Sequence, residues 1–374
     1  MKIKVPLLDL HAEHESLREE ILMALERVLE SQAFILGPEV AALEEEIARY
    51  SGARYGVGCA SGSDALLLAL MALGIGSGDE VITTAYSFFA TASAVTRLGA
   101  RPVFVDIDPG TYNVNTALVE EAVTEHTRAL MPVHLYGQCA EMKALMKVSR
   151  RHGLPLVEDA AQAIGAEDHG ERAGAMGQIG CFSFYPTKNL GGAGDGGMLT
   201  TNDEQVAERL RVLRAHGMSP KYFHKEVGIN SRLDSLQAAV LRVKLQRLDE
   251  WSKARKANAD RYRTLFTDAG LTEEVSLPFE REDALHTYNQ FVIRVSAHLR
   301  DALREHLRLD DVGTEVYYPV PLHLQECFRF LGHSEGDFPE SEKAARETIA
   351  LPIFPSLRPE QQEHVVGSIR RFFG

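Results

Sequence analysis

Cysteine is scarce: the 374 residues hold four (Cys59, Cys139, Cys181, Cys327), far apart and without a Cys-x-x-Cys pair. That excludes a disulfide-built scaffold and reads as free thiols in a reducing cytoplasm. Long apolar runs are missing as well. No stretch approaches the ~18 uninterrupted apolar residues that a spanning helix needs. The N-terminal segment from Met1 to Leu10 lacks an apolar core and a small-residue cleavage site, so neither a membrane span nor an export signal is expected. Basic runs are absent too. With a formal net charge of −13 the chain lacks the cationic surface that general nucleic-acid binding requires. An acidic total still leaves room for a local basic pocket that takes an anionic small substrate. His11 and His14 have near-helical metal spacing but no further His or Cys beside them, so no metal site is expected.

What is present is ordinary globular composition, 45% hydrophobic and 25% charged, in a chain long enough for about two domains. Apolar residues fall at helical spacing over 15–30 and 39–50. Short β-rich runs then alternate with helical segments. Strands are expected at Tyr55–Cys59, Glu80–Thr84, Pro102–Asp106, Ala129–His134 and Leu156–Asp159, with helices near 64–73, 88–98, 116–124 and 141–151. That order predicts an α/β fold with a mainly parallel sheet covered on both faces. Two more strands, Gly180–Phe184 and Gly197–Thr201, flank a glycine-dense loop. One long helical region from about Leu233 to Phe266 follows, then a strand (Gln290–Val295), a helix (297–308), a strand (Glu315–Tyr318) and two terminal helices. The division expected is a large domain over 1–245, including the N-terminal segment, and a smaller C-terminal α+β domain over 246–374.

Lys188 lies in the glycine-dense loop. An amine delivered there by an apolar strand is a candidate Schiff-base former, because desolvation disfavours the ammonium and frees the nucleophile. Alone it reads as an ordinary solvated surface charge, and its neighbours must argue otherwise. Four other segments bear on it. Ser61-Gly62-Ser63 lies between a strand and a helix, where backbone N–H groups approach an anion and the helix start adds partial positive charge; it is also an ordinary turn with an N-cap. Asp159 ends a hydrophobic strand, where ligands bind in open α/β sheets. There it suits a protonated pyridine nitrogen or the cap of the next helix. Gln162 is one helical turn on. Phe88 suits stacking on a flat heterocycle, or core packing. Asn230 and Arg232 precede an amphipathic helix and suit capping or anion contact.

Together these segments resemble the pyridoxal-phosphate site of the DegT/DnrJ/EryC1/StrS sugar aminotransferase family, with an aspartate-aminotransferase-like fold (fold type I). The resemblance runs nearly end to end, through Phe34–Glu39, Ala60–Asp64, Glu158–Gln162, Ser183–Lys188, Gly228–Arg232 and Tyr318–His323. It implies that Lys188 forms the Schiff base with pyridoxal 5′-phosphate and that Asp159 pairs with the pyridine nitrogen. Gln162 would contact the ring oxygen and Phe88 would stack on the ring. Ser61, Gly62, Ser63 and Ser183 match the phosphate cup. Asn230 matches an asparagine that reaches the neighbouring subunit's phosphate site, which implies a homodimer. Ser63 stands where threonine is common and keeps the hydroxyl; Phe88 stands where aromatics and histidine alternate.

The implied reaction is ping-pong transfer of an amino group, usually from glutamate, to a nucleotide-linked keto-sugar. Segments His286–Arg294 and Val316–His323 look nearer to the 3-keto than the 4-keto enzymes, although Tyr317 stands where histidine is frequent. Lys221, Arg232, Tyr318 and His323 are candidate contacts to the sugar or diphosphate, with surface charge or structural hydrogen bonding as their plainer roles. Two alternatives compete. Dehydratases on the same fold carry histidine at the Schiff-base position, and position 188 is lysine. A non-catalytic sensor of the same fold would not need an intact Lys188, Asp159 and Gln162.

Overall fold

The computed structural model describes residues 3–374, and its layers follow from where the short hydrophobic runs fall. Helices α1 (His11–Ser31) and α2 (Pro38–Ser51) precede β1 (Tyr55–Cys59), α3 (Gly62–Ala72), β2 (Glu80–Thr84), α4 (Phe89–Arg97) and β3 (Arg101–Val105). Then come β4 (Thr127–Met131), α5 (Met142–His152), β5 (Val157–Asp159), β6 (Ile179–Ser183), β7 (Gly197–Thr201) and α6 (Glu204–Leu213). The strands form one sheet in the order β3-β2-β4-β5-β6-β7-β1, with β4 and β5 joined by the parallel bridges Leu130–Leu156 and Val133–Asp159. Only β7 runs against its neighbours.

Alternation along the strands builds two cores. Ile82, Leu130, Leu156, Phe182 and Met198 point to one face and pack with α2 and α5. Val81, Met131, Val157, Cys181 and Leu199 point to the other and pack with α3 and α6. Both faces are covered, so nearly every residue of β1, β5, β6 and β7 is buried. This direction of β1, β2, β4, β5 and β6 brings Ser61, Phe88, Val133, Asp159 and Ser183 to one edge of the sheet, at the carboxyl ends.

The chain leaves this body through α7 (Ser235–Leu245) and α8 (Leu248–Asp268). The single helix expected over 233–266 is two, because the chain turns at Gln246-Arg247, with the Arg247 N–H on the Lys244 carbonyl. Leu241, Leu245 and Leu248 keep helical spacing across the break, all in one core, so the pattern does not reveal it. Beyond lie β8 (Phe291–Arg294), α9 (Ala297–Leu309), α10 (Pro339–Glu347), β9 (Thr348–Leu351) and α11 (Pro359–Phe373). Strands β8 and β9 pair antiparallel over a core of Tyr262, Phe266, Phe291, Leu303, Ile349, Val365 and Ile369.

Several expectations need correction. The N-terminal segment is expected in the large domain, yet Val5 is buried with Phe291, Leu307 and Val312 in the core of the C-terminal part and bridges Val312 in parallel. The helix expected over 116–124 is a single turn, Thr116–Val119, as Thr124 turns back to the Thr127 hydroxyl. The strand expected at Glu315–Tyr318 pairs only at Glu315, with Ala350. Among the described residues, no helix is long and apolar enough to cross a membrane.

Candidate active site

A cavity of about 600 Å³ opens at the carboxyl edge of the sheet, lined by Ser61, Gly62, Ser63, Phe88, Asp159, Gln162, Ser183, Lys188 and Tyr318 among others. Three backbone devices shape its anion end. Ser61 is the N-cap of α3, its Oγ accepting the Asp64 N–H at 3.1 Å, so the first-turn N–H groups of an eleven-residue helix face the cavity. A Cβ on Gly62 would lie 2.5 Å from the Ser183 Cβ, so only glycine lets the helix start close on β6. A Cβ on Gly197 would meet the Ser61 carbonyl oxygen at 2.4 Å. The result is a narrow cup of N–H and hydroxyl groups.

Asp159 is buried at the end of β5 and lines the same cavity. Its Oδ2 accepts the Thr91 hydroxyl at 2.7 Å and its Oδ1 accepts the Ala161 N–H at 3.3 Å. Burial raises its carboxyl above the ordinary range, and the Thr91 bond, the Ala161 N–H, Lys188 and His134 oppose that rise. Lys188 follows β6 on a turn in which its N–H bonds the Tyr185 carbonyl. Part of its side chain faces the cavity, yet protein surrounds the amine closely enough that desolvation draws it down to about 8, against the pull of Asp159. An amine that sheds its proton near neutrality, beside a buried carboxylate, is a nucleophile with a partner.

Gln162 is held at both ends. Its Oε1 accepts the Tyr136 N–H at 2.8 Å and its Nε2 donates to the Tyr318 hydroxyl at 3.0 Å. Phe88 is 55% exposed rather than part of the core, so its ring forms a cavity wall, 6.0 Å from the Tyr318 ring. Tyr318 itself is fixed from the sheet: Tyr86 Oη accepts its N–H at 2.8 Å, and the hydroxyls of Tyr86 and Tyr136 both donate to the Tyr317 carbonyl.

These residues fit pyridoxal phosphate. The cup suits a dianion, Asp159 suits a protonated pyridine nitrogen, and the Lys188 amine suits covalent attachment to an aldehyde. Not every expected residue reaches the cavity within one chain. Asn230 and Lys221 are exposed, and Lys221 lies over the Tyr222 ring. Arg232 is half-buried outside the lining. His323 is buried at 1% exposure with Nε2 3.1 Å from Glu342 and its ring against Phe338, so it faces away from any ligand in this cavity. Conversely, Ser87, Tyr185, Thr187, Asp195 and Gln290 line the cavity although their residue types and spacing do not point to it, and Tyr317 lines it as well. Among the described residues no cluster of three or more His, Cys, Asp or Glu could hold a metal ion.

The profile of the DegT/DnrJ/EryC1/StrS aminotransferase family matches residues 15–370. The chain is 51% identical to a protein of Geobacillus stearothermophilus named pleiotropic regulatory protein, over 99% of both chains. It is 46% identical to the dTDP-3-amino-3,4,6-trideoxy-alpha-D-glucose transaminase of Streptomyces venezuelae, covering 99% of this chain and 96% of that one. The crystal structure of S. venezuelae DesV superposes with a TM-score of 0.95 at 44% identity, over 99% of this chain and 98% of that one. The chain therefore belongs to the DegT/DnrJ/EryC1/StrS aminotransferase family, whose cofactor is pyridoxal 5′-phosphate.

Proposed function

We propose that this protein moves an amino group from glutamate to the C3 carbonyl of a nucleotide-linked keto-sugar, by ping-pong transamination, as a cytoplasmic homodimer. The observation that carries the reading is the convergence of Lys188, Asp159 and Gln162 with the Ser61–Ser63 helix start in one cavity. When bound, pyridoxal phosphate supplies an electron sink for the carbanion left at the donor's Cα. The chain supplies the rest. Lys188 Nζ would attach the cofactor and, once the donor's amine has displaced it, the freed Nζ would take the Cα proton. Asp159 keeps a proton on the pyridine nitrogen, Gln162 and Phe88 orient the ring, and Ser61, Gly62, Ser63 and Ser183 hold the phosphate. Lysine rather than histidine at position 188 favours amino transfer over dehydration. The C3 preference is supported by the His286–Arg294 and Val316–His323 segments and by the 3-amino sugar in the name of the S. venezuelae relative.

Addition of glutamate to the purified protein should bleach its visible absorbance, and a panel of UDP- and dTDP-linked 3-keto and 4-keto sugars, read by mass spectrometry, should yield amino-sugar only from the 3-keto members. Product from 4-keto sugars alone would overturn the C3 assignment. Absence of bleaching with any amino acid would favour the regulatory role that the Geobacillus relative's name suggests.

The dimer is supported by what one chain lacks. Lys188 is the only cation lining the cavity among the described residues, and a nucleotide diphosphate needs more positive charge than that. Asn230 is exposed beside a projecting segment whose Tyr222, Phe223 and Val227 are 77%, 68% and 90% exposed, an apolar surface suited to a second copy. In this reading Asn230 and Lys221 serve the neighbour's site, and Arg232 and Tyr318 remain proposed substrate contacts. We also keep a division near residue 245 as a proposal, with the segment around Val5 crossing to the second unit. Changing Asn230→Asp should weaken cofactor retention about 10- to 100-fold by repulsion with the phosphate, measured by equilibrium dialysis. A monomer that holds the cofactor as tightly as wild type would contradict the shared site.

A further inference from the structure

A pair of hydroxyl groups stands behind Asp159. Thr91 Oγ1 donates to Asp159 Oδ2 at 2.7 Å, and Ser87 Oγ lies 2.9 Å from Thr91 Oγ1, with all three residues buried. A hydroxyl has one proton to give. That of Thr91 is committed to the carboxylate, so Ser87 must be the donor in the second contact. The bonds thus run one way, from Ser87 through Thr91 to the carboxylate, each polarising the next. Local structure makes this possible: α4 begins at Phe89 after the extended N-cap residue Phe88, so Ser87 sits just ahead of the helix and its hydroxyl meets that of Thr91 in the first turn. Ser87 lines the cavity, whereas Thr91 does not and acts from behind it.

We propose that Thr91, backed by Ser87, is a positioning residue that keeps Asp159 ionised and turned toward the cofactor's pyridine nitrogen. The proposal rests on the aminotransferase reading of this cavity. Thr91 occupies Oδ2 with a short bond, which leaves Oδ1, with its single long bond to the Ala161 N–H at 3.3 Å, as the less committed oxygen. Burial alone would favour the neutral acid, and the Thr91 bond is the largest of the influences that oppose it. The other titratable groups facing Asp159 are Lys188 after β6, His134 after β4, Cys181 on β6 and Tyr318 from the 316–319 segment. Lys188 cannot be the lasting counter-charge, because its amine is consumed when the cofactor attaches. A fixed neutral donor keeps its effect through the whole cycle.

Thr91→Val retains the side-chain shape and removes the donor; Thr91→Ser retains the donor. The measurement is the pH titration of the bound cofactor's absorbance, which needs no sugar and no turnover. Loss of a hydrogen bond to a carboxylate should move the acid limb of that titration upward by about one to two pH units in Thr91→Val. The acid limb of kcat should move with it, while KM for the amino donor changes little. Thr91→Ser should titrate like wild type, and Ser87→Ala should shift the same way by less. A Thr91→Val protein with wild-type melting and an unmoved limb would overturn the proposal, as would a Thr91→Ser shift equal to that of valine. Should Thr91→Val fail to fold, Ser87→Ala decides, and an unmoved limb there overturns the relay. A wild-type protein that takes up no pyridoxal phosphate would instead sink the aminotransferase reading, and this proposal with it. Rejection of every sugar would leave the titration unaffected.

Discussion

Changing Lys188→Ala is expected to abolish turnover by about 10⁴-fold or more, since in the proposed reaction one atom both attaches the cofactor and moves the proton. The cup and Asp159 are untouched, so pyridoxal phosphate should still bind, now without covalent attachment. Borohydride treatment followed by mass spectrometry checks this directly: the wild-type chain gains the cofactor's mass and the variant does not. Normal turnover in the variant would remove Lys188 from the centre of the site.

The same residue makes a prediction about stability, best read on cofactor-free protein with Lys188→Met, which refills the space. Burial holds the folded-state amine at about 8, against 10.5 when solvated. The sign follows from proton counting. Below pH 8 the lysine is protonated in both states and burying the ammonium exacts its full penalty. Between 8 and 10.5 the unfolded chain binds more protons, so wild-type stability rises with pH. Lys188→Met should therefore be more stable at pH 7 by at most about 3 kcal/mol, a ceiling lowered by the solvent that reaches the cavity. The difference should shrink as pH climbs through that window. Denaturant unfolding at pH 7 and pH 10 measures it, and a gap that widens would contradict the assigned state of the amine.

Much of this architecture was legible because its signals are local. A run such as Glu80–Thr84 is short and rich in β-branched residues, and the structure places a strand over those same residues. Asp159 and Lys188 could be singled out because each follows an apolar strand, and strand ends converge in a parallel sheet. The unread parts depend on partners far along the chain. Tyr317 and Tyr318 look like strand residues, but the hydroxyls of Tyr86 and Tyr136 take the carbonyl of Tyr317, and Tyr86 takes the N–H of Tyr318. Those bonds replace a β ladder with a loop that closes over Gln162. His323 looked like a ligand contact because it follows the same motif. Its ring is instead enclosed by Glu342 and Phe338 from residues that a local pattern does not connect to it. Helix α6 does carry a local signal, since Asp203 caps it by accepting the N–H groups of Gln205 and Val206.

Asp159→Asn should cost about 10²- to 10⁴-fold in kcat, because the amide keeps the shape and the Thr91 contact but loses the charge proposed to hold a proton on the pyridine nitrogen. The loss alone would not show how the residue acts, since Asp159 also faces Lys188. The two effects have opposite signs and can be separated. Asp159 raises the affinity of the Lys188 amine for its proton, so removing the carboxylate lets desolvation pull that amine further below 8. In cofactor-free protein, the pH at which Lys188 begins to react with pyridoxal phosphate should therefore fall in Asp159→Asn. The variant has a freer nucleophile and a slower reaction. If Asp159 mattered chiefly as the partner of Lys188, attachment and turnover would change together. An attachment onset that moves down while kcat collapses assigns the loss to the pyridine nitrogen. An onset that moves up, or stays fixed, would mean that the carboxylate and the amine are not coupled as their shared burial implies.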